Sequence, residues 1–210
     1  MIDPASVTGH HWYGLFLAAM GRAEESAEQL RQALELDPLS LVLQAHYGWV
    51  LYHGRNFEAA IPQLEKTRDM DPNFPIGRYF LGLTYAYSGR RKEAIAELEI
   101  STKMTGGQPG WVATLGHIYG LAGKKTEGRK CLRELEEMMK HRYVPAYCPA
   151  FTCAGLGEKD AAFEWLEKAY EERSGWLVYL NVESAMNPLR SDRRFKDLVR
   201  RVGLPAPTRK

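Results

Sequence analysis

From Pro75 onward the chain alternates between two kinds of apolar stretch. Phe80, Leu81, Leu83, Tyr85 and Tyr87 crowd a first segment that stops at Ser88-Gly89, and Ala94, Ile95, Leu98 and Ser101 then recur at spacings of three and four. Such spacings around a glycine stop predict a helix hairpin. The pattern returns with a fixed period. Gly14, Gly48, Gly82 and Gly116 stand 34 residues apart, followed by Ala150, and Leu30, Leu64, Leu98, Leu132 and Leu166 form an unbroken series. Small residues run Ser26, Ala60, Ala94, Gly128, Ala162, a further series runs Ala33, Thr67, Ser101, Leu135, Ala169, and Asp3-Pro4, Asp37-Pro38 and Asp71-Pro72 keep the same register. A period of this length is the mark of a stacked repeat. A glycine inside a helix costs about 0.5 to 1 kcal/mol relative to alanine. Its recurrence therefore predicts close approach of the second helix, with Ala94 facing Gly82.

These residues resemble the tetratricopeptide repeat (TPR). Leu81-Gly82, Tyr85, Gly89, Ala94 and Leu98 match its pattern in one unit, and Leu115-Gly116, Tyr119, Gly123 and Leu132 in the next. The chain departs from it where a tryptophan is usual, with His10, Gln44, Arg78 and Val112, and at Gly128, where alanine is expected. The resemblance implies an all-α, right-handed superhelical solenoid of five hairpins at 7–40, 41–74, 75–108, 109–142 and 143–174. Pro62 should bend a second helix, since it has no N–H to donate. Pro145 and Pro149 predict a short first helix in the fifth unit.

The ends differ from the body. Residues 1–6, with Asp3-Pro4 in the closing position of a repeat, read as the remnant of a preceding unit, which predicts a partner domain upstream. Residues 175–210 read as a C-terminal cap and basic tail. There Ser191-Asp192 can cap a helix carrying Phe195, Leu198, Val199 and Val202 on one face, closed by Gly203 and Pro205. The stretches 157–170 and 187–195 resemble the ends of bacterial TPR arrays that follow winged-helix DNA-binding or serine/threonine kinase domains.

Composition narrows the function. At 210 residues, 45% apolar, 26% charged and net +2, the chain is globular, with neither a membrane span nor a signal peptide in its sequence. A cytoplasmic location is expected. Three cysteines, Cys131, Cys148 and Cys153, are an odd number and predict buried thiols, not disulfides. The basic residues from Arg190 to Lys210 fit either the solvated face of a capping helix or an acidic-partner patch, and no aromatic platform for nucleic acid accompanies them.

No catalytic motif is present. The chain has no nucleophile elbow, no His-Glu-x-x-His and no phosphate loop, and Gly155-Leu156-Gly157 reads as a helix-ending turn. His46 and His53 lie seven apart, about 10 Å along one helix, too far to share a metal unaided. No cofactor and no metal are expected. A hydrolase site on the concave face, with a cysteine or serine near His117, is the competing reading.

In TPR arrays the first helices line a concave, peptide-binding surface. The resemblance places Trp49, Tyr52, His53, Tyr79, Leu83, Tyr87, His117, Tyr147 and Phe151 there, some of which could instead pack between repeats. The lysines and asparagines that grip C-terminal carboxylates in some members are missing from this surface. The expected function is a non-catalytic scaffold for an apolar peptide or protein segment, serving a bacterial regulator, with no nucleic-acid or membrane partner. Self-association through the N-terminal face is a further option.

Overall fold

The computed structural model of the chain describes residues 5–205. The first pair of the Asp-Pro series, Asp3-Pro4, and the tail residues Arg209 and Lys210 lie outside them. The described residues are helical throughout, without a strand. They form α1 (Val7–Ala19), α2 (Ala23–Leu36), α3 (Leu41–His53), α4 (Phe57–Met70), α5 (Pro75–Tyr87), α6 (Arg91–Met104), α7 (Pro109–Leu121), α8 (Lys125–Met139), α9 (Tyr147–Leu156) and α10 (Lys159–Glu171). Two short 3-10 helices, Gly175–Tyr179 and Ser184–Leu189, and α11 (Arg193–Val202) follow. The second helices all begin 34 residues apart, and so do the first four first helices.

Local chemistry fixes these boundaries. The Ser6 and Asn56 side chains accept from the N–H groups of Gly9 and Ala59, capping α1 and α4, while Pro75 and Pro109 open α5 and α7, where no N–H is needed. Every hairpin turns through one residue of positive φ: Gly21, Arg55, Gly89, Gly123 and Gly157. They too are 34 apart, and only the second unit uses a residue with a side chain. Pro62 stands inside α4, a single helix from Phe57 to Met70.

The chain divides into two compact units, one running to Ser101 and the other beginning at Thr102. In the first, glycine and leucine lock each hairpin. A Cβ on Gly14, Gly48 or Gly82 would lie 2.0, 2.4 or 2.6 Å from the nearest side-chain carbon of Leu30, Leu64 or Leu98. The intruding group at Gly82 is thus Leu98, with the Ala94 carbonyl at 3.2 Å, so the expected small-residue contact is in fact a leucine knob in a glycine hole. All three leucines are fully buried.

The second unit departs from that lock. Its glycine, Gly116, meets Cys131 and Thr152, each 2.8 Å from the site of a Cβ, instead of Leu132. Helix α8 buries Gly128, Cys131 and Leu135 and leaves Leu132 partly exposed, so its face is turned from the one the leucine series predicts. Helix α9 has ten residues where α7 has thirteen. The unit is closed by a core in which Leu177, Leu180, Met186, Leu189, Phe195 and Leu198 of the cap cover α9 and α10. Asp192 caps α11, and Gly203, left-handed at φ 82°, ends it.

Candidate interaction surface

Trp49 and His53 are one turn apart on α3, and Tyr79 and Tyr87 lie on α5, so the repeat period itself brings aromatic side chains of successive first helices together in the first unit. Trp49 meets His53 edge-on at 4.3 Å between centroids and lies 5.7 Å from Phe80, which meets Tyr79 at 5.5 Å. Tyr52 meets Tyr87 at 5.8 Å. Trp49, His53, Tyr79 and Tyr87 are half-buried and offer surface, whereas Tyr52 and Leu83 are buried with Ala60 behind them.

Three residues outside the sequence-derived set extend this face. His11 Nε2 and His46 Nδ1 are hydrogen-bonded at 3.0 Å, and His46 lies 5.7 Å from Phe80 and 6.3 Å from Trp49. His46 and Phe80 occupy the same repeat position, as does Trp12, a coincidence visible in the sequence. Burial, and then the neighbouring His11, pull the His46 pKa down to about 4, and burial lowers His11 as well. Both imidazoles are therefore neutral near pH 7, which lets one donate its N–H to the other.

His117, Tyr147 and Phe151 fall in the second unit, where the structure makes them core. His117 is fully buried, its Nδ1–H donates to the Phe151 carbonyl at 2.9 Å, and burial depresses its pKa to about 4. Tyr147 is covered by Trp176, whose ring stacks at 6.4 Å and is itself 55% exposed. The cause is the close packing of α7, α8 and α9. Their small residues draw the backbones together, so side chains at groove positions are enclosed. The most exposed aromatics described in this unit are Tyr143 and Trp176, the latter in a stretch without repeat signature.

The remaining chemistry is structural. Cys131, Cys148 and Cys153 are buried thiols, and burial raises their pKa values to about 11, 12 and 12, far from a thiolate at neutral pH. Among the described residues no group of three or more His, Cys, Asp or Glu is placed to hold a metal ion. None of their helices is long and apolar enough to cross a membrane. Three basic residues of α11 form ion pairs within the fold: Arg194 pairs with Asp160 and Asp192, Arg200 with Asp197, and Arg201 with Glu167 and Asp197.

A family model described as tetratricopeptide repeat matches residues 14–73 and, overlapping them, 48–109. No curated protein matches the chain. Among solved structures, TTC0263, a thermophilic TPR protein of Thermus thermophilus, is 17% identical with a TM-score of 0.66, over 86% of this chain and 99% of that one. PilF of Pseudomonas aeruginosa is 19% identical with a TM-score of 0.55, over 84% and 81%. MamA from residue 41 of Desulfovibrio magneticus RS-1 is 17% identical with a TM-score of 0.56, over 67% and 79%. At these identities the likeness is one of fold. With the glycine-leucine hairpins at the period of 34 and the matched model, residues 14–109 are tetratricopeptide repeats, and the likeness of fold runs beyond them.

Proposed function

We propose that this chain is a non-catalytic interaction scaffold whose first unit binds an apolar segment of a partner protein. One observation carries the reading: Trp49, His53, Tyr79, Phe80 and Tyr87 form a half-buried aromatic face with no carboxylate or ammonium at any of these positions. Aromatic side chains offer large contact area with few rotors to freeze, and their desolvation is what anchors a partner. Tyr52 and Leu83 back this face from the core. His117, Tyr147 and Phe151 act by holding the second unit together. The absence of a carboxylate grip favours an apolar helix or extended peptide over an acidic C-terminus. The likeness of the C-terminal sequence to bacterial regulator arrays supports a scaffolding role beside a regulatory domain, with the five repeats at 7–40 to 143–174 as its building units.

Panning a library of random linear peptides against the purified chain tests this. Apolar, aromatic-rich sequences should be enriched, and their binding should be lost in Trp49→Ala/Tyr79→Ala. Enrichment of acidic C-termini, or peptides indifferent to that double substitution, would overturn the assignment.

A further inference from the structure

The surface on α3 and α5 contains a polar seam that an apolar partner has to cover. His46 of α3 reaches over to α1, where its Nδ1 and the Nε2 of His11 share a hydrogen bond of 3.0 Å, with the rings 4.9 Å apart. The same His46 ring lies 5.7 Å from Phe80 of α5 and 6.3 Å from Trp49, which makes the pair part of the aromatic face. The other titratable groups nearby stand one ring further off: His53 meets Trp49 at 4.3 Å, and Tyr79 meets Phe80 at 5.5 Å. Helices α1 and α3 carry no Asp, Glu, Lys or Arg, and Arg78 of α5 is paired with Glu97. The groups that act on the charge of His46 are His11 and the Val42 carbonyl, and no carboxylate, lysine or arginine of any helix packed on α3 is among them.

The neutral pair is self-sufficient, because the hydrogen bond between the rings survives when a partner covers the seam. The protonated pair is not. An added charge has no carboxylate to balance it and depends on water at the open side of the face, and a second proton would set like charges on nitrogens 3.0 Å apart. An apolar segment resting on Trp49 and Phe80 expels that water, and burying an uncompensated ion costs far more than burying the neutral group. Covering the seam opposes protonation, and protonation opposes covering.

We propose that the His11–His46 pair gates this surface by proton uptake: the partner closes over the neutral pair and is loosened when the pair takes up a proton. The inference rests on the aromatic face being the binding surface. Burial already lowers His11, and burial with the neighbouring His11 brings His46 down to about 4. His11 therefore takes the first proton, below the ordinary histidine value of 6.5, and a partner that covers the seam pushes this event lower still. The complex then binds fewer protons than the free chain, so affinity is full above pH 6.5 and declines as pH falls below it.

The probe is a peptide selected on the intact chain at about pH 7.5, free of Asp, Glu and His and with blocked termini, so that only the protein titrates. Calorimetric titration at about pH 7.5 and pH 5.0 should show binding weakened at the lower pH by about 3- to 30-fold, the upper figure being that of one histidine of ordinary pKa kept neutral in the complex. Repeating the acid titration in buffers of different ionisation heat should reveal release of up to about one proton on binding. His11→Gln/His46→Gln should bring the ratio of the two affinities close to one, and far-UV circular dichroism at both pH values checks that wild type and variant stay folded. Affinities equal at the two pH values, binding without proton release, or a pH dependence that survives the double substitution, as it would if His53 were the titrating group, overturns the gate and leaves the aromatic face as the binding surface. A chain that selects no peptide even at the higher pH overturns both.

Discussion

Gly120 and Gly155 meet backbone to backbone. A Cβ on Gly120 would lie 2.4 Å from the Gly155 carbonyl oxygen, and one on Gly155 would lie 2.4 Å from the His117 carbonyl oxygen and 2.5 Å from its Cα. This differs in kind from the hairpin lock at Gly14, where the obstructing atom is a leucine methyl that can rotate away. Backbone has no such freedom. Gly155→Ala should therefore cost about 3 kcal/mol or more, above the usual range for overpacking, and Gly14→Ala less. Gly110, in the first turn of α7 with nothing within 4 Å of a would-be Cβ, is the control. Gly110→Ala should gain up to about 1 kcal/mol from helix propensity. Urea midpoints of the three variants check the order, and a Gly155→Ala chain as stable as wild type would refute the close approach.

At Arg55 the repeat breaks its own rule. The residue holds φ 61° where every other hairpin turn has glycine. An L side chain in that region costs on the order of 1 kcal/mol, partly offset by the extra freedom glycine has when unfolded. Arg55→Gly should raise stability by about 0.5 kcal/mol, and a thermal melt below wild type would show that the exposed arginine makes a compensating interaction.

How much of this was legible in the sequence depends on what each residue meets. The period of 34, the glycine-leucine series and the capping helix were readable because each follows from the chain's own register. Helix α11 starts after Asp192 and ends at Gly203, where the caps put it. Which aromatics reach solvent was not readable, because equal repeat positions have unequal neighbours. Trp49 and Leu83 share a repeat position, yet one is half-buried and the other core. The unusual small residues Gly120, Gly128 and Gly155 were the available signal that α7, α8 and α9 pack more tightly, and hence that His117 and Phe151 are core.

Leu98 fills the hole left by Gly82 and is fully buried. Leu98→Ala removes the knob and leaves a cavity that the flanking helices can only partly close, so it should cost about 2 to 5 kcal/mol. A melting temperature within a degree of wild type would exclude the lock.

Acid should loosen the fold in a defined window. An unfolded histidine takes up its proton near pH 6.5, but folded His117 resists until about pH 4 because burial penalises the cation. Below 6.5 the unfolded state thus binds more protons, so this contribution is complete above pH 6.5 and is lost as pH falls toward 4. From pH 7 to pH 5 the loss is about 2 kcal/mol for His117, and His46, depressed for the same reason, adds to it. Denaturant midpoints at the two pH values should separate accordingly. In His117→Gln the separation should shrink, and an unchanged separation would assign the acid sensitivity to other groups.

The last prediction sets the aromatic face against the basic helix. Trp49 lies among His53, Phe80 and His46 with no charged side chain in that cluster, while Arg200 and Arg201 already pair with Asp197 and Glu167. A partner recruited by α11 would have to compete with those carboxylates, so its affinity would fall steeply with salt. A partner on the aromatic face gains from buried apolar area, which moderate salt leaves almost unchanged. Trp49→Ala should therefore weaken binding of a selected peptide by about 2 kcal/mol or more, with little difference between low and moderate ionic strength. Arg200→Ala/Arg201→Ala should leave it nearly intact. Calorimetric titration of both variants at two salt concentrations separates the surfaces, and an affinity that depends on salt and on the arginines while ignoring Trp49 would move the binding site to α11.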